Sequence, residues 1–129
     1  MIDPIFITVE EVLVLHQDQI EEFGGIHGIR DEGLLESAVM TPQASFGGEY
    51  LHSDIFEMGA AYAFHIAENQ PFLDGNKRTA LSSALVFLKI NGFRVLDPYG
   101  KLYEMLIAIA NRASKKADLA ALFRQLPKE

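Results

Sequence analysis

Between residues 70 and 78 the chain reads Gln70-Pro71-Phe72-Leu73-Asp74-Gly75-Asn76-Lys77-Arg78, a turn crowded with polar and charged side chains that feeds directly into a helical pattern. The first amides of a helix have no partner within it and carry partial positive charge, so a turn containing Gly75 and Asn76 can wrap backbone N–H groups around an anion. Lys77 and Arg78 put two full positive charges into the first helical turn, where the macrodipole disfavours them. An anion such as a phosphate lying between them removes that conflict. Asp74 is then the matching negative group, suited to a Mg2+ ion that bridges phosphate oxygens. Spacing alone is equally compatible with a plain turn, in which Asp74 is the helix N-cap, Gly75 a turn residue, and Lys77 and Arg78 are solvated or paired with acids.

The elements that must position this turn follow from capping signals and apolar spacing. Thr8-Val9-Glu10-Glu11 has the form of a capping box and starts a first helix, with Val12, Leu13, Leu15, Ile20 and Phe23 near helical spacing and Gly24-Gly25 as its stop. Asp31 can cap a shorter second helix carrying Leu34, Leu35, Ala38 and Val39, which Pro42 ends. Residues Gln43 to His52, centred on Gly47-Gly48, read as a loop or small hairpin flap. Ser53 is expected to cap a third helix through Ala67, and a fourth runs from about Asn76 to Ile90 before Asn91-Gly92 stops it. Both are apolar around most of their circumference, which places them in the middle of a bundle. Phe93 to Leu96 reads as a short extended segment, followed by amphipathic helices over Leu102 to Arg112 and Ser114 to Leu126, the latter capped by Ser114. The expected fold is all-α, a compact arrangement of six helices with at most a minor hairpin, in a single domain over residues 1–129.

Composition narrows the function classes. A chain of 129 residues that is 49% hydrophobic can bury a core, which excludes intrinsic disorder. It has no cysteine, so a disulfide framework, a thiolate metal site and a thiol nucleophile are all excluded. The stretches Met58 to Ala67 and Thr79 to Leu88 are about half of the ~20 residues a membrane-spanning helix needs. Met1-Ile2-Asp3-Pro4 lacks the basic region of a signal peptide, and the expected location is the cytoplasm. A net charge of −7 repels nucleic acid over the surface as a whole, so no direct nucleic-acid partner and no membrane partner is expected. His16, His27 and His52 have no metal-ligand spacing and read as surface or packing residues.

The run Pro71-Phe72-Leu73-Asp74-Gly75-Asn76-Lys77-Arg78-Thr79-Ala80 closely resembles the signature of the Fic/Doc superfamily, His-x-Phe-x-Asp/Glu-Gly/Ala-Asn-Lys/Gly-Arg, in the lysine-containing version of the death-on-curing (Doc) toxins. Gly28 to Ala38 with Pro42-Gln43 is similar to the family's upstream segment, and Ala80 to Gly92 to its motif helix. The resemblance implies an all-helical Fic fold and a toxin held in check by a cognate antitoxin. It implies ATP and Mg2+ as cofactors and transfer of the terminal phosphate to a Ser or Thr of a translation factor, elongation factor Tu. Position by position, Asp74 matches the Mg2+-binding acid, Gly75, Asn76 and Lys77 the anion-holding turn, Arg78 the phosphate-contacting arginine, and Phe72 the core anchor of the loop. The flap from Gln43 to His52 resembles the segment on which target peptides align by strand addition.

Three departures from the family pattern bear on activity. The first motif position, a histidine acting as general base in most members, is Gln70, whose amide has no titratable acceptor near neutral pH. Transfer is therefore expected to be crippled, either in an inactivated toxin or in a natural non-enzyme that only grips an antitoxin. His65, five residues earlier, could be offered as a replacement base, but a core or helix-end histidine is the expected state. Leu81 stands where adenylylating Fic enzymes carry a second arginine, which makes kinase chemistry the leading expectation and adenylyl transfer its rival. Glu32-Gly33 lacks the hydroxyl residue of the family's self-silencing motif, Gly28 standing in its place, so inhibition by a separate antitoxin is expected.

Overall fold

In the computed structural model, which describes residues 3–129, most helices begin where a side chain can take up the first free amides. Met1 and Ile2, part of the N-terminal stretch considered above for export, lie outside the described residues. Helix α1 (Val9–Phe23) opens with a complete capping box: Thr8 accepts from the Glu11 N–H and Glu11 accepts from the Thr8 N–H. It closes at Gly24, whose φ of 83° only glycine adopts cheaply. Helix α2 (Glu32–Met40) is capped by Asp31, and a 3-10 turn over Thr41–Gln43 carries the chain past Pro42 into the hairpin of β1 (Ser45–Phe46) and β2 (Glu49–Tyr50). Helices α3 (Ile55–Asn69), α4 (Asn76–Ile90), α5 (Lys101–Ala110) and α6 (Lys116–Gln125) complete the fold. The all-α, six-helix expectation with a minor hairpin is met.

Two caps differ from expectation. Asp54, not Ser53, caps α3, because its carboxylate takes the Glu57 N–H at 2.8 Å and also receives Arg124 of α6 at 2.9 Å. Ser53 is drawn into hydrogen bonds with the Glu57 carboxylate instead. At α6 the helix starts after Lys115 rather than Ser114, and Asp118 reaches back to the Lys115 N–H at 2.8 Å. The segment after α4 is extended because it pairs with the C-terminal residues: the Leu96 N–H donates to Pro127 and the Glu129 N–H to Arg94.

Helix α3 runs through the middle, packed against α2, α4, α5 and α6. Its buried face is built from Gly59, Ala60, Ala61, Ala63 and Ala67, small residues that let neighbouring helices approach. A Cβ at Gly59 would already lie 3.1 Å from Leu88 of α4. Larger core residues, among them Tyr62, Phe87, Leu106 and Phe123, fill the space around this spine. The result holds the C-terminus of α3 and the N-terminus of α4 rigidly side by side, so the six residues between them have little freedom. No described helix is long and apolar enough to cross a membrane.

Candidate anion and metal site at the start of α4

The turn between α3 and α4 is tied down from both sides. Gln70 ends α3 in the left-handed conformation (φ 49°, ψ 57°), a state that costs a non-glycine residue about 1 kcal/mol. Arg30 holds it there, donating from Nε to the Gln70 carbonyl and from Nη2 to the Asn69 carbonyl, both at 2.7 Å. A cation over the last carbonyls of a helix also complements the macrodipole. The strand-like run from Gly28 to Asp31 lies against Pro71 to Leu73: Arg30 and Asp31 donate to the Pro71 carbonyl, and the Leu73 N–H donates to Gly28. Phe72 is buried and stacks on His16 of α1, with ring centres 3.8 Å apart and planes nearly parallel. The His16 Nε2 lies 2.9 Å from the Asp74 carbonyl, which can only accept, so Nε2 carries the proton. Burial holds this imidazole below its ordinary pKa, against the pull of its bond to the Asp74 carbonyl.

Within the turn, Asn76 folds back on Phe72, accepting from its N–H at 2.9 Å and donating to its carbonyl at 3.0 Å. Its side chain is thus spent on closing the loop, and only its backbone N–H is left for an anion. Asp74 is not the N-cap of α4. That position belongs to Gly75 (φ 74°), and no side chain caps the helix. The Asp74 carboxylate instead takes the Gly75 N–H at 2.9 Å and, across the fold, the Ile26 N–H at 3.2 Å. Gly25 permits this approach, since a Cβ there would sit 2.7 Å from Asp74 Oδ2. Each carboxylate oxygen keeps an unshared lone pair on an exposed side chain, so the residue fits a cation that also binds phosphate oxygens.

The electrostatics of α4 stand out when set beside α5, which also starts at a left-handed glycine. At α5 the Asp97 carboxylate receives the Lys101 and Leu102 N–H groups. Nothing among the described residues does the same for Asn76, Lys77 and Arg78, and α4 alone of the six helices has no acid in its first turn. Lys77 and Arg78 form no ion pair among the described residues. Free amides, two unpaired cations and a carboxylate meet around a cavity of about 170 Å3 lined by Asp74, Gly75, Asn76, Lys77 and Arg78 together with Gln19, Phe23 and Tyr103. A second cavity, about 200 Å3, is lined by Gln70, Leu73 and Ala110 and shares Asp74 to Lys77 with the first. Arg78 lines the first cavity and Gln70 the second, and the loop residues Asp74 to Lys77 are common to both.

The histidines fall apart as a group. His27 is exposed, and His16 belongs to the loop support. His65 is not bonded to backbone but lies 3.1 Å from Lys116 Nζ, which also reaches His52 at 2.9 Å. It lines neither cavity, so it is no substitute base. The supports that spacing did not reveal are His16, Gly25, Ile26 and Arg30, which act largely through backbone groups or shape and carry no local signature. A second feature, a groove of about 360 Å3 between α1 and α4, is lined by Phe23, Arg78, Leu81, Leu85 and Val86.

The Fic/DOC family matches residues 6–88, which include the loop, its support and all but the last two residues of α4. The chain is similar to the protein kinase Doc of Escherichia phage P1, 36% identical over 120 residues, or 93% of this chain and 94% of that one. It is also similar to the toxin Doc of Mycolicibacterium smegmatis, 42% identical over 101 residues covering 77% of this chain and 78% of the relative. A family match over most of the chain and two relatives above 30% identity place it plainly: the chain belongs to the Fic/Doc family.

Proposed function

We propose that this protein is a Doc-type toxin whose α4 N-terminus binds the phosphates of ATP with Mg2+, built for phosphoryl transfer to a Ser or Thr of elongation factor Tu, and that Gln70 disables the transfer. The observation that carries the reading is the contrast between α5, whose first amides are taken by Asp97, and α4, whose first amides, Lys77 and Arg78 have no anionic partner among the described residues. Bound Mg2+ would neutralise charge on the phosphate oxygens beside Asp74. The rest falls to the chain. Backbone N–H groups of the first turn, Lys77 and Arg78 orient the terminal phosphate, and Asn76 and Phe72 keep the loop in shape. In transfer, a target hydroxyl oxygen bonds to the terminal phosphorus as the bridging bond to ADP breaks, and the hydroxyl proton needs an acceptor. The Gln70 amide offers none.

Leu81 faces the apolar groove and supplies no second arginine, which favours phosphoryl over adenylyl transfer. The same groove suits an amphipathic helix of an antitoxin, with anchors against Leu81, Leu85 and Val86. The β1–β2 hairpin, with Phe46 largely exposed, is the proposed place where a target strand aligns. The test is inducible expression of the parent, Gln70→His and Gln70→Ala, with intact-mass analysis of elongation factor Tu. Loss of a general base costs about 10²–10⁴ in rate, so the His form should arrest growth and add one phosphoryl mass while the other two do not. A harmless His form with unmodified factor would leave an antitoxin-binding module as the function. An added adenylyl mass would move the reading to AMP transfer.

A further inference from the structure

The guanidinium carbon of Arg78 lies 3.8 Å from the ring centre of Phe23, the last residue of α1, and 4.6 Å from that of Tyr103 in the first turn of α5. A guanidinium held over an aromatic face is attracted without a hydrogen bond, so its N–H donors, which grip a phosphate in bidentate fashion, are not spent on the contact. An arginine fixed by a carboxylate would have those donors already spent. Arg78 has no such partner among the described residues. Phe23 is 51% exposed, unlike the core phenylalanines, so the interior is not what holds it. Both rings line the same cavity as Asp74, Gly75 and Lys77.

From this geometry we infer that Phe23 and Tyr103 are positioning residues: an aromatic clamp that orders the Arg78 side chain before an anion arrives. The inference rests on the phosphate-site reading above. A free arginine side chain loses rotamer freedom when it binds. A clamped one has already lost it, so the clamp raises affinity without touching the ligand. The ring face also counters the conflict between a cation and the positive end of α4.

The experiment is calorimetric titration of the whole protein with Mg2+–ATP, comparing Phe23→Leu, Tyr103→Leu, Phe23→Tyr, Tyr103→Phe and Arg78→Ala, with a thermal melt of each. Each Leu variant should bind about 3- to 30-fold more weakly, the range expected for loss of a cation–π contact. The aromatic swaps should bind like the parent, and the melts of the swaps and of Phe23→Leu should stay close to it. If Arg78→Ala weakens binding while both Leu variants bind like the parent, the clamp is refuted and the phosphate site stands. If Arg78→Ala also binds like the parent, or the parent binds no Mg2+–ATP, the phosphate-site reading fails and the clamp falls with it. An aromatic swap that loses as much affinity as its Leu counterpart would also refute the clamp, since the ring face would then not be what matters.

Discussion

Asn76→Ala removes the one side chain that bridges both backbone groups of Phe72. Phe72 is 1% exposed, so neither its N–H nor its carbonyl can turn to water once the 2.9 Å and 3.0 Å bonds are gone. An orphaned buried group costs about 1–3 kcal/mol. Two such groups, offset by the roughly 0.7 kcal/mol that alanine gains over asparagine in helix propensity, leave a net loss of about 1–5 kcal/mol. For a domain of this size that corresponds to a fall in Tm of about 5–20 °C. Asn76→Asp separates the loop's shape from its charge. The carboxylate still accepts the Phe72 N–H but cannot donate to its carbonyl, and it adds negative charge at a helix start, worth about 0.3–1 kcal/mol in its favour. Asp should therefore destabilise less than Ala yet abolish Mg2+–ATP binding, because it puts a negative charge beside the helix start that a phosphate must approach. Thermal melts and calorimetric titration of both variants test this. An Ala variant within about 0.5 kcal/mol of the parent would refute the loop-staple argument, and an Asp variant that binds ATP normally would refute the anion site.

Other consequences follow from the supports. Gly25→Ala should push the Asp74 carboxylate out of place, since the new Cβ falls 2.7 Å from Oδ2 at a φ of 124°; the cost should be about 1–3 kcal/mol, with ATP affinity losing its dependence on Mg2+ in titrations with and without EDTA. Arg30→Ala uncovers the last carbonyls of α3 and should cost about 1–2 kcal/mol in denaturant unfolding, with faster amide exchange at Arg30 to Leu73. His65 is held down to about 4, mainly by burial and then by Lys116, while His52 and His16 are also lowered, burial again being the leading cause. In the unfolded chain these imidazoles take up protons near 6.5, so the fold should be at full stability above that pH and lose stability as pH falls from 6.5 towards 4. Urea unfolding across that window should show the decline, and His65→Leu should flatten it; an unchanged slope would show that the His52–Lys116–His65 cluster is not its source.

The amino-acid sequence by itself determined what depends on neighbours along the chain. The capping box at Thr8, the Asp31 cap, the stops at Gly24 and Asn91-Gly92 and the bounds of α4 were all legible, because each rests on bonds spanning four residues or fewer. So was the electrostatic conflict at the start of α4, since Lys77 and Arg78 fall in its first turn wherever that helix sits. Where two acceptors competed locally, tertiary contacts chose: Asp54 outranked Ser53 because Arg124 of α6 also reaches it. The role of Asp74 was likewise decided at a distance, by an Ile26 N–H 48 residues earlier that draws the carboxylate away from the cap position. Arg30 over the end of α3, His16 beneath Phe72 and the two rings flanking Arg78 belong to the same class. Backbone amides, carbonyls and ring faces are presented by almost any sequence, so only the folded packing of α1, α3, α4 and α5 could show which of them meet at the loop.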